Sequence, residues 1–262
     1  MELDLKGKVV IVTGGGGAIG SAIAKSFASE GAKVVVTGRT LSSLQKITDE
    51  IRADGGECSP VICDVSSKES AENLIEETVN LYGSVDVLVN NAGINGGPDQ
   101  RQRTHEYSDE LWDKIIACDL TGVYNCSKYA IRQMLKQGTP CSIINISSVV
   151  GVQALRLQVA FTAAKAGVIN MTKAMALEYA RDNIRVNVIC PGSIMFEGTR
   201  KLFYADAEKA EKMMNAIPMH RPGTPEDIGG AACFLASETA AGYITGSVQI
   251  IDGGWTTSIR TF

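Results

Sequence analysis

The stretch Thr13-Gly14-Gly15-Gly16-Gly17-Ala18-Ile19-Gly20 constrains this chain more than any other feature. It lies between a β-branched run ending at Val12 and a helical pattern that opens with Ser21-Ala22-Ile23-Ala24. Glycines let the backbone turn tightly and let an anion approach helix N–H groups, where the macrodipole favours negative charge. A glycine-rich turn alone says little. Between a strand and a helix it predicts a dinucleotide site, with Gly14, Gly16, Gly17, Ala18, Ile19 and Gly20 cradling the pyrophosphate.

The rest of the chain repeats that alternation. Short apolar runs predict strands at Val9–Val12, Lys33–Thr37, Cys58–Ile62, Val85–Val89, Ser142–Ile146, Arg185–Ile189 and Ser247–Ile250. Their lack of polar alternation suits parallel strands covered on both faces. Helical periodicity fills 20–30, 41–53, 67–82, 109–136, 160–181, 206–215 and 225–236, with Ser67 and Thr224 as helix starts. The expected fold is α/β: one doubly wound Rossmann-type domain over 1–262, with a seven-stranded, mainly parallel sheet and helices on both faces. Asn95–Ser108 and Gly192–Met219 read as looser segments at the ends of strands, where such sheets bind ligands.

Composition narrows the classes. A net charge of −4 with scattered Lys and Arg argues against nucleic-acid binding. No apolar run approaches the ~18 residues of a membrane span, and the polar start predicts no signal peptide. Seven cysteines without metal-type spacing read as small buried hydrophobes in a reducing compartment, so a cytoplasmic location and no metal are expected.

The second strand ends in Gly38-Arg39 where an acid would select NAD(H). Gly38 leaves space and Arg39 suits a 2′-phosphate, which favours NADP(H), with NAD(H) the alternative.

Together the glycine turn, Asn90-Asn91-Ala92-Gly93 after the fourth strand, Pro191-Gly192 after the sixth and the terminal Asp252-Gly253-Gly254 resemble the classical short-chain dehydrogenases/reductases over essentially the whole chain. The resemblance places Ala18 where that family has its middle glycine. It implies that Asp64 and Val65 flank the adenine, Asn91, Ala92 and Gly93 the adenosine ribose, and Pro191, Gly192 and Ile194 the nicotinamide. The family's threonine five residues after the proline is here Phe196, leaving backbone near Ser193–Ile194 or a shifted Thr199 for the carboxamide.

The same resemblance implies carbonyl–alcohol interconversion by hydride transfer. The family uses a serine, a tyrosine thirteen residues later, a lysine four residues beyond it, and an asparagine on the preceding helix. The lysine binds the nicotinamide ribose and lowers the tyrosine pKa. Ser148 and Lys165 stand in register, but the tyrosine position holds Phe161 and the asparagine position holds Asp119. Phe161 keeps the ring and lacks the oxygen that would exchange the proton. Three readings stay open: an engineered Tyr→Phe, a member that has lost or changed its redox chemistry, or another acid such as Asp119, Tyr204 or His105.

Val150, Val152, Leu155, Arg156 and Leu157 are expected to line the substrate pocket, with Phe196 nearby. Arg156, with Arg101, Arg103 and Arg200, raises an anionic carbonyl or alcohol substrate as one option. The helices at 109–136 and 160–181 resemble those that pair subunits in the family, implying a homotetramer or a dimer. A non-catalytic nucleotide-binding regulator and a non-redox lyase or isomerase, with Asp119 as base, are the rival functions.

Overall fold

The computed structural model describes residues 2–94 and 101–257. Seven strands form one sheet: β1 (Val9–Thr13), β2 (Lys33–Gly38), β3 (Glu57–Ile62), β4 (Val87–Asn90), β5 (Cys141–Ile146), β6 (Ile184–Pro191) and β7 (Val248–Ile251). Their order is β3-β2-β1-β4-β5-β6-β7, and every neighbouring pair is parallel. The order reverses between β1 and β4, so their carboxyl ends frame the crevice where doubly wound sheets bind ligands.

Two apolar layers hold the sheet. On one face Val10, Val12, Val34 and Val36 pack with Ile23 and Phe27 of α1 (Ala18–Ser29), Leu44 and Ile51 of α2 (Leu41–Ala53), and Leu235 of α9 (Pro225–Ala236). On the other, Ile11, Val35, Leu88 and Ile143 meet Leu74 of α3 (Lys68–Tyr82), Met134 of α5 (Gly122–Gln137) and Met175 of α6 (Val159–Tyr179). Successive side chains of one strand enter opposite layers, which explains the continuous apolar runs. Burying Phe27 completely contributes about 2–3 kcal/mol.

Both expected helix starts are capped. Ser67 Oγ accepts the Ser70 N–H at 3.2 Å. Thr224 Oγ1 accepts the Asp227 N–H at 3.4 Å while Asp227 Oδ2 accepts the Thr224 N–H at 2.9 Å, a reciprocal capping box.

Two expectations change. The helix at 109–136 is divided: α4 (Asp109–Ile116) passes through one π-helical turn, Ala117–Thr121, into α5. A π turn adds a residue per turn and re-aims what it carries, here Asp119. The looser segment at 192–219 holds a helix the sequence did not announce, α7 (Glu197–Phe203), ahead of the expected one, α8 (Ala207–Ala216). A short helix, α10 (Glu238–Ala241), also follows α9. Of the loop at 95–108, residues 95–100 lie outside the described residues; Thr104–Glu106 is a 3-10 turn, and Ser108 caps α4. Among the described residues, no helix is long and apolar enough to cross a membrane.

Candidate active site and nucleotide crevice

The glycine turn has the geometry its sequence predicts. Gly14 adopts φ +64°, and a Cβ there would meet the Ala92 Cα at 2.9 Å. A Cβ on Gly16 would meet Ser43 Oγ at 2.5 Å, and one on Gly20 would overlap the Gly14 carbonyl oxygen. Gly17 is the N-cap of α1, no side chain caps that end, and no acid stands in its first turn. Its N–H groups are therefore open to an anion. Ala18 and Gly17 are exposed and Ile19 half-buried, so the extra methyl of Ala18 displaces nothing. These residues fit a dinucleotide.

The neighbouring strand ends complete the crevice. Thr13 Oγ1 accepts the N–H groups of Asn91 at 2.9 Å and Ala92 at 3.0 Å, and Asn91 Nδ2 donates to the Thr13 carbonyl at 2.9 Å. The switch point between β1 and β4 is thus fastened by side chains as well as by the sheet. Asp64 Oδ1 accepts the Ser66 hydroxyl at 2.7 Å and its N–H at 3.0 Å, and these bonds, the hydroxyl first, hold the carboxyl below its ordinary value. Val65 is buried, and its carbonyl accepts Asn125 Nδ2 at 3.0 Å. Gly38 has room, its absent Cβ finding only Leu44 Cδ2 at 3.6 Å. Arg39 is exposed and carries no salt bridge among the described residues.

At the far side, Gly192 N–H donates to Ile251 O at 2.9 Å, and a Cβ at Gly192 would strike Asp252 Cβ at 2.6 Å. Pro191 and Ile194 are buried. Thr199 Oγ1 donates to the Ile194 carbonyl at 2.6 Å and accepts the Phe196 N–H at 2.9 Å, so this hydroxyl braces the start of α7. The Phe196 side chain is exposed.

Ser148 ends the β5 segment, and its Oγ accepts the Val150 N–H at 3.2 Å. Phe161 and Lys165 lie one turn apart on the buried face of α6. Phe161 packs against Val149, Val150 and Trp255. Lys165 Nζ stands 5.5 Å from the Phe161 ring centre, donates to the Ile146 carbonyl at 3.2 Å and lies 3.2 Å from Asp119 Oδ2. A Cβ on Gly93 would meet that same carboxylate oxygen at 2.8 Å and Lys165 Nζ at 3.4 Å. Gly93, Asp119, Phe161 and Lys165 therefore share one small space, with Ser148 beside it through Val149 and Val150.

The other acids considered lie elsewhere. His105 is exposed, 3.7 Å from Glu106 Oε1. Tyr204 Oη hydrogen-bonds Ser193 Oγ at 2.8 Å. Arg156 and Arg103 line a groove of about 480 Å³ with Val159, Thr162, Ala163 and Ala166. At 100° per residue, Val159, Ala163 and Ala166 point well away from Phe161 and Lys165, and Thr162 lies between the two faces of α6. That groove groups Arg156 with Arg103.

Sequence reasoning missed the polar network behind the site. Asn90 Nδ2 donates to Ser127 Oγ and to Asn145 Oδ1, each at 2.9 Å, and Asn145 Nδ2 donates to Thr172 Oγ1 at 2.8 Å. Only asparagine and serine inside otherwise apolar strand and helix patterns hinted at it. The seven cysteines are free, six of them buried.

A doubly wound sheet with a glycine-cradled crevice and a buried lysine beside a serine defines a nucleotide-binding protein of the dehydrogenase kind. Comparison with known proteins makes the class specific. Residues 16–256 match the family described as enoyl-(acyl carrier protein) reductase. A 3-oxoacyl-[acyl-carrier-protein] reductase of Thermotoga maritima is 39% identical over 253 residues, 96% of this chain and 99% of that one. Among solved structures, an Agrobacterium tumefaciens protein provisionally described as a gluconate dehydrogenase superposes with a TM-score of 0.92 at 28% identity, covering 99% of this chain and 100% of that one. Another from the same organism, provisionally described as a 2-deoxy-D-gluconate 3-dehydrogenase and holding NADP, has a TM-score of 0.89 at 33% identity, with 98% and 99% covered. The chain belongs to the short-chain dehydrogenase/reductase family.

Proposed function

We propose that this chain is an oxidoreductase scaffold for carbonyl–alcohol interconversion with a nicotinamide cofactor, NADP(H) in preference to NAD(H), impaired by Phe161. The observation that carries this reading is the buried trio of Phe161, Lys165 and Asp119 beside Ser148. A binding protein has less need of a serine kept in that register. The cofactor supplies or takes the hydride; the chain's residues bind and orient it and handle the proton. Lys165 holds the nicotinamide ribose, Ser148 polarises the substrate oxygen, and Phe161 fills the tyrosine's volume without its hydroxyl. The exposed Arg39 and the open Gly38 support NADP(H), as does the NADP held by one solved relative. Self-association belongs to the same reading, since Trp112, Tyr124 and Leu177 leave apolar surface exposed on α4, α5 and α6.

The test sets this chain beside its Phe161→Tyr variant, following cofactor oxidation and reduction over a panel of carbonyls and alcohols that includes sugar acids and 3-oxoacyl thioesters. Turnover rising about 10²–10⁴-fold in the tyrosine form is expected, the range that a general acid commonly contributes. Silence from both forms despite tight NADPH binding would overturn the reading.

A further inference from the structure

A charge taken out of water needs a partner, and the side chains of Asp119 and Lys165 are 0% and 6% exposed. Their separation is 3.2 Å between Oδ2 and Nζ. Asp119 Oδ1 is occupied by the Ile94 N–H at 2.8 Å. Oδ2 accepts no hydrogen bond of proper geometry from any described residue and faces the ammonium alone. The π turn Ala117–Thr121 presents it there, and Gly93 leaves the space it fills.

The remaining groups around this pair bring no charge. Phe161 offers Lys165 a ring face. Cys118, on the same π turn, and Cys190, on β6, are thiols that burial pushes up to about 11, so both are neutral near pH 7. Ile94 and Ile146, at the ends of β4 and β5, contribute backbone only. Asp64 and Arg39 reach the cluster only through space, at Cys118. Among the described residues Asp119 is the one anion in ion-pair contact with Lys165.

We propose that Asp119 is a positioning residue for Lys165, a resident counterion in the place of the phenolate that residue 161 lacks, so that positions 119 and 161 act as a coupled pair. The inference rests on the reading that Lys165 serves the cofactor and a proton donor at 161. An ammonium has three N–H groups; the Ile146 carbonyl accepts one, Asp119 Oδ2 stands 3.2 Å away in ion-pair contact, and N–H groups remain for a ribose hydroxyl. A phenol ionises more readily beside an unpaired ammonium than beside one already neutralised by a carboxylate, because the carboxylate opposes a second negative charge. A tyrosine restored at 161 therefore ionises at higher pH while Asp119 is present than with an uncharged residue at 119.

The experiment titrates phenolate absorbance in Phe161→Tyr and in Phe161→Tyr with Asp119→Asn. Each is read as a difference from the matching Phe161 protein, so that the seven native tyrosines cancel. The phenol introduced at position 161 is expected to ionise about 1–2 pH units lower in the double variant, with the pH profile of any turnover moving the same way. Ionisation at the same pH in both overturns the coupling. A shifted titration with no turnover in either form sinks the oxidoreductase reading and leaves the counterion role standing. Equal turnover of the two forms at every pH does the reverse.

Should Asp119→Asn prevent folding in that background, urea unfolding of Asp119→Asn, Lys165→Met and their combination in the parent chain decides instead. The combination is expected to lose less stability than the two single losses added. Additive losses overturn the proposal.

Discussion

The hydroxyl of Ser147 donates to the main-chain carbonyl of Lys165 at 2.8 Å, in full burial. This bond ties the end of β5 to the middle of α6. It sets the relation between the strand that presents Ser148 and the helix that presents Phe161 and Lys165. The 3-10 turn Val149–Gly151 reinforces the contact, for a Cβ on Gly151 would lie 2.7 Å from the Lys165 carbonyl group. The spacing between serine and lysine in the sequence thus becomes a fixed geometry through one hydroxyl and one missing side chain.

Ser147→Ala removes that tie while leaving every proposed cofactor contact in place. A buried side-chain hydrogen bond contributes about 1 kcal/mol net, and the expected loss in urea unfolding is of that size. Weaker NADPH binding should accompany it, because Lys165 is then less well held. An unchanged unfolding midpoint and an unchanged cofactor affinity would show that α6 is positioned by apolar packing alone.

Gly20→Ala tests the cradle. Its Cβ would overlap the Gly14 carbonyl oxygen and approach Asn91 Nδ2 at 2.6 Å, so the turn must open against backbone. Overpacking of this kind costs about 1–3 kcal/mol. Dinucleotide affinity, measured by calorimetry, should fall by more than about tenfold, which corresponds to about 1.4 kcal/mol at 25 °C. Gly17→Ala is the control, since its absent Cβ has only the Gly14 carbonyl oxygen at 3.4 Å. Similar binding by the two variants would mean that the pyrophosphate does not sit on this turn.

Most of the fold was legible because parallel strands covered on both faces must be apolar without interruption, as Val9–Val12 and Val34–Val36 are. Ser67 and Thr224 announced helices through side chains that accept first-turn N–H groups. The π turn at Ala117–Thr121 left no such mark. Its residues suit an ordinary helix, and the extra residue shows only in the hydrogen bonds. Gly198, close after Phe196, disguised the start of α7. Within the site, the family resemblance pointed to Ser148, Phe161 and Lys165, whose spacing lies along one chain segment. The Asp119–Lys165 ion pair joins two distant segments and is a tertiary fact. Arg156 precedes α6 and lines a groove with Arg103, a neighbourhood that its closeness to Ser148 in sequence did not indicate.

Arg39 decides the cofactor preference if the proposed reading holds. Arg39→Ala should raise the dissociation constant for NADPH by about 10–100-fold, the loss of one charge-assisted contact to a 2′-phosphate of about 1.5–3 kcal/mol. NADH, which lacks that phosphate, should bind with little change. Fluorescence titration of both cofactors against both proteins checks this. Equal losses for the two would make Arg39 a general surface charge and remove the argument for NADP(H).

Asp227 gives a pH signature at the other end of the site. Its carboxylate accepts the Thr224 N–H at 2.9 Å and lies 3.1 Å from Arg221, and these contacts, the Thr224 bond first, hold it below the usual aspartate value. A group whose pKa is lower folded than unfolded stabilises the fold fully above the unfolded value, about 3.9, and loses that contribution as pH falls through the lowered one. Both side chains are partly exposed, so the ion pair adds little and the capping bond dominates. Asp227→Asn should therefore cost about 0.5–1 kcal/mol at pH 7. The gap between parent and variant should narrow as unfolding is followed below pH ~4, to the most acid condition at which both still fold. A gap that stays constant with pH would mean that the cap acts through its shape and not through its charge.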